Sequence, residues 1–376
     1  MLLENNPYPK DVRVRNEAES LVRAGHRVTV LAPRAAGQPR LERIEGVTVR
    51  RYRLPTAGGS PAGFLLEYGV AHAQLFLRGA LELLRGADVV HLHNPPDTLF
   101  PVGLLARALG RSVVFDHHDL FPELFADKFG RSSLVRIAAA AQRASLRSSN
   151  AVIVTNRSQA EIVLARGVHQ PDRLMIVRNG PRHSTLAQRA DLREGPLANP
   201  HLVFVGELDS QDGVLALPEL LAKPGLEGAK LTIVGEGVVR EELATRFRRA
   251  GMSERVSFTG HVPHRRVPEL IAQADVCIDP APCTELNSNS TMIKVVEYVA
   301  AGRPVVAFDL AETRRTAGDA ALYAPCGDLE AFARLIVRLA EGEDLRQRLA
   351  ERAIERADEL VWERSEVELL GAYERL

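Results

Sequence analysis

Lysine is scarce in this chain: five residues against 43 arginines. Cysteine is scarcer, with only Cys277, Cys283 and Cys326. An odd count with no Cys-x-x-Cys pair excludes a disulfide-dense scaffold and points to unpaired thiols in a reducing, cytoplasmic setting. Net charge is absent, since Lys+Arg and Asp+Glu are both 48. A polyanion-binding chain carries a basic excess, so nucleic acid is not an expected partner. No uncharged run reaches the roughly 20 apolar residues of a spanning helix. The opening MLLENNPYPK has no apolar core behind a basic start, so no export signal is expected. There is no internal repeat, no Walker A loop and no Gly-x-Ser-x-Gly elbow.

What is present is ordinary globular material: 376 residues, 45% hydrophobic and 26% charged, with mean hydropathy −0.09. That length implies two domains. Short β-branched runs alternate with helical stretches. Strands are predicted at Arg27–Ala32, Val47–Tyr52, Asp88–Leu92, Ser112–Asp116, Ala151–Thr155 and Leu174–Arg178. A second series follows at Leu202–Gly206, Leu231–Gly235, Val256–Gly260, Val276–Asp279, Pro304–Phe308 and Ala321–Ala324. Uniformly apolar strands separated by helices predict α/β architecture with parallel sheets covered on both faces, here two doubly wound, Rossmann-like domains. The polar, turn-rich Gly180–Pro200 marks the boundary. We therefore expect a first domain over 1–180, a linker over 181–200, a second domain over 201–360, and closing helices ending in Val361–Leu376. With only MLLE ahead of an Asn-Asn-Pro turn, either the first sheet is trimmed or the true start lies upstream.

Ligands of open parallel sheets collect beyond the carboxyl ends of the strands. That rule selects His91, His93, His118, Asp119, Gly206, the turn Gly235-Glu236-Gly237, the loop Asp279–Thr291 and Asp309, with a site expected between the two domains. In Asn287–Pro304, Ser290 or Thr291 is the expected N-cap of a helix that stops at Gly302. Amides at Ser290, Thr291 and Met292 suit a diphosphate. Met292, Val295, Val296 and Val299 form an apolar stripe, leaving Lys294 and Glu297 on the opposite face. There they serve either as phosphate and ribose ligands or as a solvated i,i+3 ion pair. His118 and Asp119 orient a sugar hydroxyl or cap the following helix. Adjacent residues on one turn rarely converge on an ion, so no metal is assigned. His91 and His93 share one side of a strand and are expected to be hydrogen-bonded core residues. The Ala-rich Arg131–Arg147 reads as a surface helix, with membrane-surface contact as the second reading.

In order and spacing, these segments resemble the retaining, nucleotide-sugar-dependent glycosyltransferases of the GT-B fold (glycosyltransferase group 1, family 4-like). The carriers are Arg15-Asn-Glu-Ala with Ala24-Gly-His-Arg-Val-Thr-Val30, then DVVHLH, FDHHDLFPE, LTIVGEG, VSFTGHVP, ADVCIDPAP and VVEYVAAGRPVVAFD. The resemblance covers nearly the whole chain. It implies two domains facing across a cleft, with the last helix crossing back to the first. The acceptor would lie on the N-terminal side and the nucleotide sugar on the C-terminal side. It also implies hexosyl transfer with retention, with no cofactor or metal beyond the nucleotide-diphosphate sugar as co-substrate. Glu297 is then the ribose-binding glutamate closing a Glu-x7-Glu motif, and His118 the cleft histidine. The turn after Gly235 and Gly260-His261-Val262 become the nucleobase pocket, with Gly206 in the phosphate loop. Catalytic roles fall to His118, Asp119, Asn289 and Lys294.

Three positions depart from the family pattern. Asn289 replaces the first glutamate of Glu-x7-Glu. In Gly206-Glu-Leu-Asp-Ser-Gln-Asp-Gly213, Glu207 and Asp212 stand where an arginine and a lysine clamp the diphosphate. Lys294 is expected to compensate. A saccharide, a lipid-linked glycan or a small natural product serves equally as acceptor, with peripheral contact to the inner membrane face among the expectations. Two alternatives stand beside transfer: a catalytically degenerate nucleotide- or glycan-binding scaffold, and a nucleotide-sugar 2-epimerase.

Overall fold

The computed structural model describes residues 1–4, 6–54, 61–129, 133–166, 170–186 and 192–376. Part of the predicted linker and the start of the Ala-rich stretch lie outside these residues. The chain divides into two compact units, Met1–Arg178 with Ser365–Leu376, and Asn179–Arg364.

In the first unit, strands β1 (Thr29–Pro33), β2 (Leu41–Ile44) and β3 (Val47–Tyr52) are ordered β1-β3-β2, and β4 (Val89–His93), β5 (Ser112–His117), β6 (Ala151–Val154) and β7 (Leu174–Ile176) follow one another. Leu2 bridges Leu31 of β1 and Leu92 of β4, so a single residue joins the two sets where a first strand would run. Strand β2 was not anticipated. Its LERI sequence alternates half-exposed positions and pairs antiparallel with β3 at an edge, so no apolar run marks it. Strands β1, β4, β5 and β6 are almost wholly buried, as strands covered on both faces are. The helix Val12–Arg23 begins where the Asp11 carboxylate accepts from the amides of Arg13 and Val14, satisfying two donors the helix itself cannot. The helix Ser133–Ser148 buries Ala138, Ala141 and Leu146 and leaves Arg136, Arg143 and Arg147 outside.

In the second unit, β8 (His201–Val205), β9 (Lys230–Val234), β10 (Val256–Gly260), β11 (Val276–Asp279), β12 (Val305–Phe308) and β13 (Ala321–Ala324) form one parallel sheet ordered β10-β9-β8-β11-β12-β13. This is the doubly wound dinucleotide-fold order, with its reversal between β8 and β11. Pleating sends Leu202 and Phe204 into one apolar layer with Ile233, Phe247, Phe308 and Phe332, while Val203 and Val205 enter another with Val295, Val299 and Val305. The segment after residue 192 is tied to this unit. The Arg346 guanidinium donates to the carbonyls of Arg193 and Gly195, at 2.9 and 2.6 Å.

Cys283 and Cys326 are joined as a disulfide, Cα to Cα 5.8 Å, and only Cys277 remains a free, buried thiol. This corrects the expectation of three unpaired thiols, and with it the compositional argument for a reducing compartment. The loops beyond β11 and β13 bring together two cysteines 43 residues apart, which spacing alone does not reveal. Among the described residues no helix is long and apolar enough to cross a membrane.

Candidate active site

The reversal between β8 and β11 leaves a crevice at the carboxyl edge of the second sheet, and most of the expected donor residues gather there. The loop from Gly206 to Gly213 follows β8, and Gly235–Gly237 follows β9. These loops are interlocked. The Leu208 amide donates to the Glu236 carbonyl at 2.9 Å, and the Gly235 amide to the Gly260 carbonyl at 3.2 Å. A Cβ on Gly235, at φ 140°, would lie 1.9 Å from the Gly206 carbonyl oxygen, and one on Gly237 would lie 2.3 Å from that of Leu208. The glycines are therefore demanded by close backbone approach. Beyond Gly260, His261 is exposed and Val262 packs on the layer beneath the helix Ile293–Ala300. Asn287, which sequence reasoning did not single out, donates to the carbonyls of Gln211 and Pro282, both at 2.9 Å, tying the β8 loop to the β11 loop.

Lys294 lies in the first turn of that helix and is only 7% exposed. Its ammonium pairs with Asp212, lies 3.6 Å from Asp279 and sits 5.0 Å above the Phe204 ring. A Cβ on Gly206 would come within 2.9 Å of its Cε. The expected solvated pairing of Lys294 with Glu297 is corrected: two acids beneath the sheet edge draw the lysine inward. Those acids hold its pKa above the usual ammonium range despite burial, which alone would lower it. Glu297 instead faces His264, Oε1 to Nδ1 3.7 Å. Burial raises its pKa to about 7, against a lowering influence from Lys294.

The helix start also differs from expectation. Met292, in extended backbone, is the N-cap and makes no side-chain capping bond. Ser290 ends the preceding helix Glu285–Asn289, and its hydroxyl donates back to the Leu286 carbonyl at 2.7 Å. A serine already engaged with the turn behind it does not cap the turn ahead. Thr291 lies between the two helices. Asn289 donates to the Glu285 carbonyl at 2.8 Å. Gly302, at φ 63°, ends the helix as expected. Glu207 is exposed. Asp309 is engaged by Arg314 at 2.7 and 2.8 Å, a local pairing outside the donor crevice residues.

In the first unit, His118 and Asp119 occupy the turn after β5, with His118 Nε2 3.5 Å from Asp119 Oδ2. Burial holds the His118 imidazole well below its ordinary pKa, so it is neutral. The turn is clamped by a residue the sequence did not advertise, Asn94. Its Oδ1 accepts from the amides of His118 and Asp119, at 2.8 and 3.1 Å, and its Nδ2 donates to Asp97 and to the Asp119 carbonyl, both at 2.8 Å. Gln159 donates to the His118 carbonyl at 2.7 Å. Burial pushes Asp97 up to about 8, leaving it neutral. His91 and His93 are buried and stacked, ring centroids 4.3 Å apart, as same-side strand residues should be. A cavity of about 680 Å³ in this unit opens elsewhere, lined by Gly25, Arg27, Arg85, Asp88, His91 and Tyr373 among others.

Comparison with known proteins finds relatives of both units. Residues 11–180 match the family model for a glycosyl transferase 4-like domain, and residues 199–342 that for glycosyl transferases group 1. The chain is 29% identical to the alpha-D-kanosaminyltransferase of Streptomyces kanamyceticus over 45% of its own length, spanning less than half (44%) of that enzyme. It is 27% identical to the phosphatidyl-myo-inositol mannosyltransferase of Mycolicibacterium smegmatis, over 98% of this chain and 92% of that one. Its fold matches that of Anabaena HepE, solved in complex with UDP-glucose, with TM-score 0.72, 16% identity, and 100% and 98% of the two chains covered. The chain belongs to the glycosyltransferases, pairing a glycosyl transferase 4-like domain with a group 1 domain.

Proposed function

We propose that the protein moves a hexosyl group from a nucleotide-diphosphate sugar to an acceptor hydroxyl, with retention of configuration and no metal ion on the diphosphate. The observation that carries this reading is Lys294, a buried ammonium at the reversal point of a dinucleotide-type sheet. It stands one turn before Glu297 and directly under the Gly206 loop. In this reading the diphosphate lies against the first-turn amides after Met292 and against Lys294, both preorganised where charge grows as the glycosidic bond breaks. Glu297, once ionised, accepts from the ribose hydroxyls. The interlocked Gly235–Gly237 turn and His261-Val262 flank the base. Neutral His118, with Asp119, orients the donor sugar, and the acceptor proton leaves with the departing diphosphate. The names of the relatives fit saccharide, lipid-linked or small natural-product acceptors. They leave the cytoplasmic setting, and any contact with its membrane face, as part of the proposal.

Thermal-shift screening against uridine, guanosine, adenosine and thymidine diphosphates and their sugars tests this. One base should raise the melting temperature, because ligand that binds only the native state stabilises it. Product analysis with a retained anomer should follow. No shift with any of them overturns the reading. The pairing of Lys294 with Asp212 favours a second reading, a nucleotide binder without transfer. That protein would show the shift but release no product with any acceptor.

A further inference from the structure

The first unit contains a buried polar cluster that the transfer reading does not use. Glu17 on the helix Val12–Arg23, His91 and His93 on β4, and Asp116 on β5 each offer one donor atom within 4.8 Å of the others, and all four are buried. His93 Nδ1 is 2.9 Å from Asp116 Oδ2 and 3.8 Å from Glu17 Oε2, and His91 Nε2 is 3.9 Å from the same Glu17 oxygen. Four ligands on a tetrahedral ion lie about 3.4 Å apart when its bonds are about 2.1 Å, so the separations bracket that value. Glu17 is 0% exposed, and neither of its oxygens has a hydrogen-bond partner among the described residues; His91 Nε2 has none either. A fully buried carboxylate with both oxygens unsatisfied is costly unless something fills the space before it.

We propose that Glu17, His91, His93 and Asp116 bind one divalent transition-metal ion, zinc in the first instance, as a structural centre of the first unit. Two imidazoles with two carboxylates are a borderline donor set suited to zinc. The surroundings supply an outer shell. The Tyr373 hydroxyl lies 2.9 Å from His91 Nδ1 and fixes that ring with Nε2 toward Glu17. The Arg13 guanidinium lies 3.2 Å from Asp116 Oδ2 and 3.9 Å from both Glu17 and Asp11. The acids Glu17, Asp116 and Asp11 thus gather around a single guanidinium. His91 and Tyr373 line the 680 Å³ cavity, which provides a route of entry. Tyr373 belongs to the Ser365–Leu376 segment, so the centre would fasten helix, two strands and chain end together.

The test is metal analysis of the full chain purified without chelator from zinc-supplemented medium, then titration of stripped protein with Zn²⁺ and with Co²⁺. We expect one equivalent per chain, visible Co²⁺ absorption of tetrahedral type, and a melting temperature several degrees higher with Zn²⁺. Tyr373→Phe should weaken Zn²⁺ affinity about tenfold, as loss of an outer-shell partner does, and Glu17→Gln should weaken it further. A folded wild-type protein that takes up neither ion overturns the proposal and leaves a network sharing one proton. Uptake that is equally tight in Glu17→Gln and His93→Gln overturns it as well, placing the ion on surface histidines. The Co²⁺ spectrum is read on the wild type, so the test still decides if a variant fails to fold. The outcome does not depend on whether nucleotide sugars bind the other unit.

Discussion

Replacing Asp212 by asparagine should tighten donor binding, although it alters a residue of the proposed site. Lys294 is already neutralised in the free protein by Asp212 and by Asp279 at 3.6 Å. An arriving diphosphate must compete with a carboxylate for the one buried ammonium. A hydrogen bond to a charged partner contributes ~1.5–3 kcal/mol. Because Asp212 is 20% exposed, solvent screening trims its hold to ~1–2 kcal/mol. The asparagine side chain would keep the shape and remove that competition, while Asp279 still balances the lysine. The dissociation constant for the nucleoside diphosphate should then fall about 5–30-fold, and the gain should shrink with added salt. Isothermal titration calorimetry of wild type and Asp212→Asn at low and high salt measures this. Unchanged or weaker binding by Asp212→Asn refutes the idea that Lys294 is the phosphate ligand. Lys294→Met is the converse probe: it should abolish binding and, by leaving Asp279 buried without its counter-charge, cost ~3 kcal/mol or more of stability.

Three further outcomes follow from the geometry. Glu297 titrates near 7 when folded against 4.5 as the ordinary value; its raised pKa contributes stability fully present below pH 4.5 and lost as pH rises through 7. Donor binding runs the other way, strengthening as pH rises through 7 because the ribose needs the carboxylate. Paired calorimetry and melting series should show both trends, and Glu297→Gln should flatten both; a pH-independent wild type contradicts the assignment. Asn94→Ala should lower kcat about 10–100-fold with donor affinity nearly unchanged, since the clamp on His118 and Asp119 supplies orientation; an equal loss in both, or in neither, removes Asn94 from that role. Gly235→Ala should destabilise by ~2–4 kcal/mol, because its methyl would strike the Gly206 carbonyl; a melting temperature within a degree of wild type would show the loops to be more yielding than their packing indicates.

What the sequence displayed and what it hid divide along physical lines. The central strands of the second unit were legible because they are buried on both faces, so Leu202–Val205 and Val305–Phe308 read as unbroken apolar runs. Strand β2 was not, because this edge strand has no buried residue: Leu41 is exposed and Glu42 half-buried. The glycines at 206, 235 and 237 could be nominated from their place after strands, but only the structure shows that a Cβ would meet backbone oxygens at 235 and 237 and the Lys294 and Phe204 side chains at 206. The start of the helix Ile293–Ala300 was misplaced because local preference for Ser290 is a short-range rule, and the helix Glu285–Asn289 had a prior claim on that hydroxyl. Asn94 was invisible for another reason. It acts mainly on backbone groups 24 and 25 positions away, which leaves no periodic or compositional trace.

The clearest case is the charge exchange around Lys294. Sequence alone shows acids at 207 and 212, where resemblance implies bases, and an isolated lysine 82 positions after Asp212. Neither observation fixes a partner. A parallel sheet that reverses between β8 and β11 puts the ends of those strands side by side, so an acid on one loop and a base on the next helix become neighbours whatever their separation along the chain. A charge lost from one loop is then balanced from the other, and the electrostatics of the crevice belong to the pair of loops. Reading either loop alone leaves out the charges that face it from the other. Read together, Asp212 and Asp279 both face Lys294, so a diphosphate reaching that lysine would compete with acids already on it. That competition ties the proposed donor affinity to Asp212.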